Sequence, residues 1–174
     1  MRCEVQTKPE LRQLAALIEN MGVAMLTTLD AEGALVSRPM SPLEFDAHGA
    51  LWFFTDLRSS KVEHLRIVNV SFADAERSTY VSLSGRGEIH AERGRVRALW
   101  TPLARPWFPD GPDSTDLALL KFLPDSADYW DAPDSKMVRL FALAASLLGG
   151  APVGLGEHGH VEDLSAPATV LPPA

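Results

Sequence analysis

The sequence has one cysteine and no long apolar run, and both features narrow what the protein can be. Cys3 is the single cysteine among 174 residues, which excludes an internal disulfide framework and a metal site built from several cysteines. Neither a secretory leader nor an apolar run long enough to span a membrane is present. We therefore expect a cytoplasmic protein without a membrane segment and without a bound metal.

Positive charge is also scarce, because 16 Lys and Arg stand against 23 Asp and Glu, for a net charge of −7. This charge repels nucleic acids and anionic membranes, so neither is an expected partner. An anionic ligand needs a local basic pocket, which Arg38, Arg58, Lys61 and Arg66 could form. No glycine-rich phosphate fingerprint is present, and Ser84-Gly85-Arg86-Gly87 lacks the glycine spacing of a nucleophile elbow.

Apolar residues are plentiful, at 46% of the chain, which is enough for one domain with a sizeable core. We assign this domain to residues 1–150. The tail, residues 151–174, is rich in Gly, Pro and Ala and is expected to be disordered. His158 and His160 in this tail lack further ligands, so we interpret them as solvated rather than metal-bound.

Hydrophobic periodicity predicts a mainly β domain with flanking helices. The predicted helices lie near residues 8–20, after Ser60, at 93–100 and from Asp134 to about 148; the predicted strands lie at 23–29, 34–41, 51–54, 70–73, 79–91, 117–123 and 127–131. Capping boxes at residues 7–10 and 60–63 mark two helix starts. Turns at residues 30–33 and 46–49 predict a three-stranded antiparallel meander. Gly85 and Gly87 predict a bulge, a sharp coil of the sheet or a close backbone contact.

Residues 51–61 change from an apolar strand to a polar turn and then to a predicted helix start. Helix N-termini leave backbone N–H groups unpaired and carry partial positive charge. A dianion at this position would also meet the hydroxyls of Thr55, Ser59 and Ser60 and the ammonium of Lys61. The stretch therefore predicts a phosphate site in outline, with an ordinary capped strand-to-helix turn as the alternative.

Two other features each have two interpretations. Arg38 lies on an otherwise apolar strand face, either as an edge residue whose charge reaches solvent or as the partner of an anion. The proline-rich loop at residues 101–113, around Trp107 and Phe108, is either functional or a packed excursion of the Ω type. The residues alone leave both open.

The order of these elements resembles the pyridoxamine 5′-phosphate oxidase-like flavin-binding split barrels. The resemblance lies in a hairpin ending in Ser37-Arg38-Pro39-Met40, a strand at 51–55, and Ser59-Ser60-Lys61 entering a helix. Trp107-Phe108-Pro109-Asp110-Gly111 and Tyr129-Trp130-Asp131 are similar to the bacterial general stress protein family within this superfamily. The resemblance covers about residues 9–150. It implies a six-stranded antiparallel split β-barrel, a homodimer, and FMN held in a cleft between the subunits.

The resemblance also implies a cofactor site, which consists of Arg38, Pro39, Met40, Phe54, Thr55, Ser59, Ser60 and Lys61. Arg38 would meet the flavin phosphate or the ring edge, and Thr55 would contact the phosphate. Pro39 and Met40 would lay their backbone along the isoalloxazine. We expect Trp130 foremost and Trp107 second to cover the flavin from the opposite subunit, with packing in the core or the interface as the alternative for each.

Three departures separate the sequence from the oxidases proper. It has Ser59-Ser60-Lys61 where the oxidases show Ser-Arg-Lys, so one phosphate charge is missing. It lacks their C-terminal arginine and histidine substrate motif. Asp113-Ser114-Thr115-Asp116 stands where the general stress family has Asp-Asp-Pro. The missing charge predicts a lower affinity for FMN, the missing motif argues against oxidation of pyridoxamine phosphate itself, and the third difference predicts that the loop closes differently.

The expected function is therefore a flavin-dependent oxidoreductase with a stress role and FMN as its cofactor, with FAD, a deazaflavin or haem as the alternatives. No catalytic residue is assigned, because a bound flavin carries the redox chemistry and the protein supplies position and electrostatics. The alternative is a non-catalytic module that stores, buffers or senses flavin. The substrate and the electron donor are not specified by the sequence.

Overall fold

The computed structural model of the protein describes residues 1–131, 157–162 and 164. These residues form two helices, α1 (Pro9–Ile18) and α2 (Arg93–Leu99), and nine strands: β1 (Arg2–Cys3), β2 (Ala24–Leu29), β3 (Leu35–Met40), β4 (Pro42–Phe45), β5 (Leu51–Asp56), β6 (Val68–Asp74), β7 (Thr79–His90), β8 (Leu117–Asp131) and β9 (Glu157–Val161). Single 3₁₀ turns lie at Ser60–Glu63, Pro102–Ala104 and Gly111–Asp113. Neither helix is long and apolar enough to cross a membrane.

All nine strands of the described residues belong to one sheet, in the order β1-β4-β5-β8-β7-β6-β2-β3, with β9 also paired to β8. β3 and β4 lie near the two ends of this order, although Ser41 alone separates them in the chain. The sheet must therefore curl until its two ends approach each other, as twisted sheets do. The result is an open half-barrel with flanking helices, which confirms the predicted mainly β split-barrel class.

The strand count and the pairing differ from the prediction in two respects. Nine strands replace the expected six, because β4 and two short strands near the chain ends, β1 and β9, join the sheet. β1 pairs with β4 in parallel, so the sheet is not wholly antiparallel. The barrel class itself is unaffected, since these three strands extend the sheet rather than reorder it.

The predicted three-stranded meander is wrong. β2 pairs with β3, and β5 pairs with β4 and β8, so the hairpin and the aromatic strand lie apart in the sheet. A reversal into an adjacent antiparallel strand needs a connection of about two residues or more. Ser41 alone cannot make that turn, so the chain leaves β3 and crosses to the other end of the sheet.

Neither predicted capping box forms. The N-cap of α1 is Lys8 rather than Thr7, no side chain caps it, and Pro9 is at the first helical position. Residues 60–63 form a single 3₁₀ turn without a side-chain cap, not the start of an α-helix. The turn at residues 60–63 has no room to continue as an α-helix. Leu65 is already held against β7, because the Gly87 N–H donates a hydrogen bond to the Leu65 carbonyl at 2.7 Å.

The two glycines of the long strand have the predicted local effects. The register of β7 against β8 shifts between Ser84 and Gly85, which marks a bulge. A Cβ on Gly85 would lie 2.1 Å from the Leu123 carbonyl oxygen, so only glycine fits. A Cβ on Gly87 would come within 3.2 Å of the Leu65 side chain. Gly87 thus lets the segment after the 3₁₀ turn lie directly on β7.

The core has two parts on opposite faces of the sheet. The larger part fills the half-barrel and includes residues from α1, β2, β5, β7 and β8, among them Leu14, Leu26, Phe53, Leu83 and Phe122. The smaller part lies under α2 and consists of Trp52, Val96, Leu99, Leu117 and Leu119. β5 contributes to both parts, which fixes the direction in which each of its side chains points.

Two predicted features fall in the C-terminal part of the chain. The helix predicted from Asp134 lies outside the described residues. Glu157–Val161, within the tail that was expected to be disordered, forms β9 and pairs with residues 127–131 of β8. The expectation of disorder is therefore wrong for these five residues. Their alternation of His and Gly gave no strand signal, and the pairing depends on the free edge of β8.

Candidate anion-binding site

The turn that follows β5 contains a buried lysine. Lys61 lies in the 3₁₀ turn Ser60–Glu63, and 9% of its surface is exposed. Its Nζ donates a hydrogen bond to Ser59 Oγ at 3.1 Å. The ion pairs found among the described residues do not include Lys61. A charged ammonium therefore lies close to the barrel wall with one neutral partner.

Burial lowers the pKa of Lys61 below the usual lysine value, because loss of water disfavours the charged form. The positive charge of Arg38 lowers this pKa further, so the two cations lie within electrostatic range of each other. Asp56 acts in the opposite direction, but its carboxylate already accepts two bonds from the Arg58 side chain, at 3.1 and 2.9 Å. An anion between Lys61 and Arg38 would relieve both effects.

Thr55 provides a second unsatisfied group at the end of β5. Its Oγ1 is buried and has no hydrogen-bond partner among the described residues. Buried hydroxyls without partners are uncommon in native structures, since the lost hydration is not replaced. Thr55 therefore presents a hydroxyl without a partner among the described residues, and Lys61 an ammonium whose one hydrogen-bond partner there is the neutral Ser59 hydroxyl.

Phe54 lies on the other face of β5, as strand alternation requires. Its ring packs against Trp100 and Phe108, with centroid distances of 5.6 and 6.1 Å. Phe54 thus belongs to the smaller core under α2. The sequence analysis grouped it with Thr55, but the structure separates the two side chains across the sheet.

Arg38 extends toward the turn from the edge hairpin. Its Nη1 donates to Thr28 Oγ1 at 3.1 Å, and Thr28 is buried on β2. Sequence reasoning missed Thr28, although the turn at residues 30–33 fixes the register: Leu26 faces Arg38, and Thr28 is the next residue of β2 on that face. Thr28 holds the guanidinium in one orientation.

The remaining residues named from the sequence occupy different positions. Pro39 is exposed on the edge strand, Met40 packs against the larger core, and Ser60 is exposed at the start of the 3₁₀ turn. Arg58 forms ion pairs with Asp56 and Asp116, so these carboxylates already neutralise its charge. Lys61 contacts Ser59 and lies within electrostatic range of Arg38, and Thr55 is the next-to-last residue of the strand that leads into this turn. We group these four as the candidate anion-binding residues, and the others lie at the periphery.

A cleft of about 380 Å³ lies beside this turn. It is lined by Leu29, Asp30, Glu63, His64, Arg66 and Ile67. None of the four grouped residues lines it, so the cleft adjoins the anion site without containing it. Arg66, a candidate for the basic pocket, belongs to this cleft.

The two tryptophans expected over the cofactor are both exposed on the surface of the chain. Trp107 is 72% exposed in the proline-rich loop. Trp130 is 46% exposed and lies eleven residues along β8 from Leu119, the pairing partner of Phe54. At about 3.3 Å per residue this separation is roughly 36 Å of strand. One chain therefore does not bring Trp130 to its own anion site.

The grouped donors suit a phosphate monoester better than a metal ion. The ammonium and the guanidinium are cationic donors and repel a metal ion, and the two neutral hydroxyls can donate to a phosphate oxygen. Metal ions instead need anionic or lone-pair ligands, and no carboxylate belongs to this group. No group of three or more His, Cys, Asp or Glu side chains in the described part of the chain could hold a metal ion. The orphaned Thr55 hydroxyl and the buried Lys61 ammonium therefore fit a phosphate-bearing cofactor.

The sequence profile of the family described as "Pyridoxamine 5'-phosphate oxidase like" matches residues 9–153. The protein bli-3 of Neurospora crassa is 25% identical over 173 residues, which cover 92% of this chain and 83% of bli-3.

Solved structures are similar over most of the chain. A protein from Jannaschia sp. CCS1, named for general stress protein 26, is 27% identical with a TM-score of 0.69, over 87% of this chain and 96% of that one. The general stress FMN/FAD binding protein of Xanthomonas citri is 28% identical with a TM-score of 0.61, over 74% and 93%.

Proposed function

The chain belongs to the pyridoxamine 5′-phosphate oxidase-like family, and we propose that it binds FMN and acts as a flavin-dependent oxidoreductase. The observation that carries this proposal is the buried Lys61 ammonium, which has no carboxylate partner among the described residues and follows a strand with an unpartnered Thr55 hydroxyl. The binding of FMN or FAD by the similar Xanthomonas citri protein supports it further.

In the proposed complex, Lys61, Ser59, Thr55 and Arg38 hold the cofactor phosphate. Two cations match the two charges of a terminal phosphate monoester, which favours FMN over the diphosphate of FAD. The nearby carboxylate of Asp56 would repel a second phosphate. When bound, the flavin supplies the electron transfer, and the chain contributes binding, orientation and exclusion of water.

We also propose a homodimer with the cofactor site at the subunit interface. The edge hairpin of β2 and β3 exposes large apolar side chains, and Leu35 alone keeps 75% of its surface exposed. Exposed apolar surface on a sheet edge favours association with a second copy. The separation of Trp130 from Lys61 within one chain supports the same arrangement, because a second subunit can supply the missing cover.

Fluorescence titration of the apoprotein with FMN and with riboflavin tests the phosphate assignment. Lys61→Ala should weaken FMN binding about tenfold to a hundredfold, because a hydrogen bond from a charged group is lost. Riboflavin should bind the unaltered protein more weakly than FMN and respond less to the substitution. The control is Lys121→Ala, which removes a lysine over the Trp52 ring instead. Unchanged FMN affinity in Lys61→Ala would show that the phosphate lies elsewhere.

Anaerobic addition of NADH or NADPH to the flavin-loaded protein separates the oxidoreductase from a storage or sensing module. Bleaching of the flavin absorbance, followed by recovery in air, is the result expected of an oxidoreductase. Flavin that stays oxidised with both donors would favour the non-catalytic alternative.

Sedimentation tests the dimer. A dimer of about 38 kDa is expected from the chain mass of 18.9 kDa. A stable monomer at micromolar concentration would exclude a shared site.

A further inference from the structure

Strand β9 is closely fitted to the last part of β8. Residues 157–161 pair with residues 127–131 in antiparallel register, so that Gly159 lies opposite Tyr129 and His158 opposite Trp130. A Cβ on Gly159 would lie 2.2 Å from the Tyr129 hydroxyl oxygen, so only glycine allows this approach. The Tyr129 hydroxyl is itself held by Gln13 of α1, at 2.9 Å.

A leucine three residues after this strand is anchored in the barrel. Leu164 is 3% exposed and belongs to the larger core. Its N–H donates to the Asp125 carbonyl at 3.2 Å, and its carbonyl accepts a bond from Lys8 Nζ at 3.1 Å. β9 is therefore held both by its ladder to β8 and by a buried leucine three residues beyond it.

His158 lies flat against Trp130. The ring centroids are 5.0 Å apart and the planes differ by 21°, which is a stacked arrangement. Trp130 nevertheless keeps 46% of its surface exposed. The imidazole thus covers one side of the indole and leaves the rest available for contact.

His160 fixes the same strand to β8 by charge. Its Nδ1 lies 2.6 Å from Asp128 Oδ1, and its Nε2 lies 3.3 Å from Glu162 Oε1. These carboxylates are the charged groups that contact His160 in the part of the chain that the structure describes. Asp128 and Trp130 point to the same face of β8. His160 and His158, two residues apart on β9, each contact one of these side chains.

We propose that β9 holds Trp130 in the orientation that receives the flavin, with His158 as the positioning residue. This role depends on the proposed function, because the flavin is the ring that Trp130 would cover. A tryptophan on an open sheet face has several rotamers, and ordering it lowers the affinity of any ligand that needs one of them. The stacked imidazole removes this loss by ordering the indole before the ligand arrives.

The test follows the motion of the indole and the affinity for FMN separately. In the apoprotein, ¹⁵N relaxation of the Trp130 Nε1–H, assigned by comparison with Trp130→Phe, should give a lower order parameter in His158→Ala. FMN affinity should fall about threefold to tenfold, the range expected when one side chain must be ordered on binding. His158→Phe keeps a flat ring and should restore both quantities.

His48→Ala is the matched control, since His48 is an exposed histidine on the turn before β5. It should change neither the order parameter nor the affinity. An unchanged order parameter in His158→Ala overturns the positioning role. A lower order parameter with unchanged FMN affinity overturns the link to the cofactor. If the unaltered protein binds no FMN, the proposed function fails, and the relaxation result still reports whether His158 orders Trp130.

Discussion

Glu44 and Lys61 are both buried charges, but they meet different surroundings. Glu44 is fully buried on β4, and its carboxylate accepts hydrogen bonds from the guanidinium groups of Arg2 and Arg95. Lys61 is nearly as buried, yet it contacts the Ser59 hydroxyl and, among the described residues, no carboxylate pairs with it. One charge is neutralised within the chain, and the other meets no opposite charge at ion-pair distance among the described residues.

The difference separates structural from functional charge. A buried ion stabilises a fold only if other groups replace its lost hydration. The two arginines do this for Glu44 and also tie the chain start and α2 to β4. Lys61 lacks such replacement among the described residues, so we expect its charge to lower the stability of the free protein, as is typical of sites that bind a ligand. The predictions below test this contrast.

The largest effect is expected from removing both partners of Glu44. Arg2→Met with Arg95→Met leaves the carboxylate buried without compensation, which should cost roughly 3–5 kcal/mol of unfolding free energy. This corresponds to a melting temperature lower by roughly 6–20 °C for a chain of this length. Denaturation of the apoprotein measures the change, with the exposed Arg105→Met as control. An unaltered melting temperature would show that Arg2 and Arg95 do not stabilise Glu44, and the contrast between Glu44 and Lys61 would not hold.

Lys61→Met should change stability in the opposite direction. The isosteric apolar chain relieves both desolvation and the repulsion from Arg38, so the apoprotein should gain about 1 kcal/mol. Its melting temperature should rise by about 2–4 °C, while FMN binding is lost to the extent expected for Lys61→Ala. The same denaturation experiment applies. A destabilised Lys61→Met variant would mean that the ammonium already has a stabilising partner.

Two buried threonines extend the comparison to hydroxyls. Thr28 Oγ1 accepts a bond from Arg38, so Thr28→Val should cost about 1 kcal/mol. Thr55 Oγ1 has no partner among the described residues, so Thr55→Val should leave the apoprotein as stable or more stable. FMN affinity should fall about tenfold in Thr55→Val. Equal destabilisation by both substitutions would show that Thr55 is also satisfied within the chain.

The smallest effect concerns a charge that water reaches. Hydrogen bonds to Asp128 and then Glu162 raise the pKa of His160 above its usual value. A raised pKa means that the docked strand binds the proton more tightly, so protonation stabilises β9 fully below about pH 6.5 and loses this effect as the pH rises through the raised pKa. Hydrogen exchange of residues 157–161, corrected for the intrinsic pH dependence of the rate, should show severalfold lower protection at the higher pH. His160→Asn should remove the pH dependence.

Local patterns in the sequence were enough to predict much of the fold. Alternating side chains gave the long strand β7, helical spacing gave α1 and α2, and the glycine turn gave the β2–β3 hairpin. The pairing of β5 with β8 could not be read locally, because the two strands are about sixty residues apart in the chain. β9 was missed for the same reason, since its stability comes from the partner edge rather than from its own residues.

The sequence was enough to predict the residue types of the candidate anion-binding site, but not their geometry. Lys61, Ser59 and Thr55 were named from one polar turn, and Arg38 from its unusual position on an apolar face. The expected helix N-terminus is a 3₁₀ turn, so the donors are side chains rather than a helix dipole. Burial of Lys61 and the unpartnered hydroxyl of Thr55 depend on tertiary packing, which no local pattern encodes.

The position of β8 in the sheet also has a consequence for synthesis on the ribosome. β8 is the strand through which β1, β4 and β5 join β7, β6, β2 and β3. Before β8 has emerged, the nascent chain can form only two separate small sheets, and each has an open edge where β8 will insert. Non-local strand pairing of this kind is slow and leaves edges exposed to other chains. Nascent chains stalled before Leu117 should therefore depend most on chaperones, and chains released after Asp131 much less.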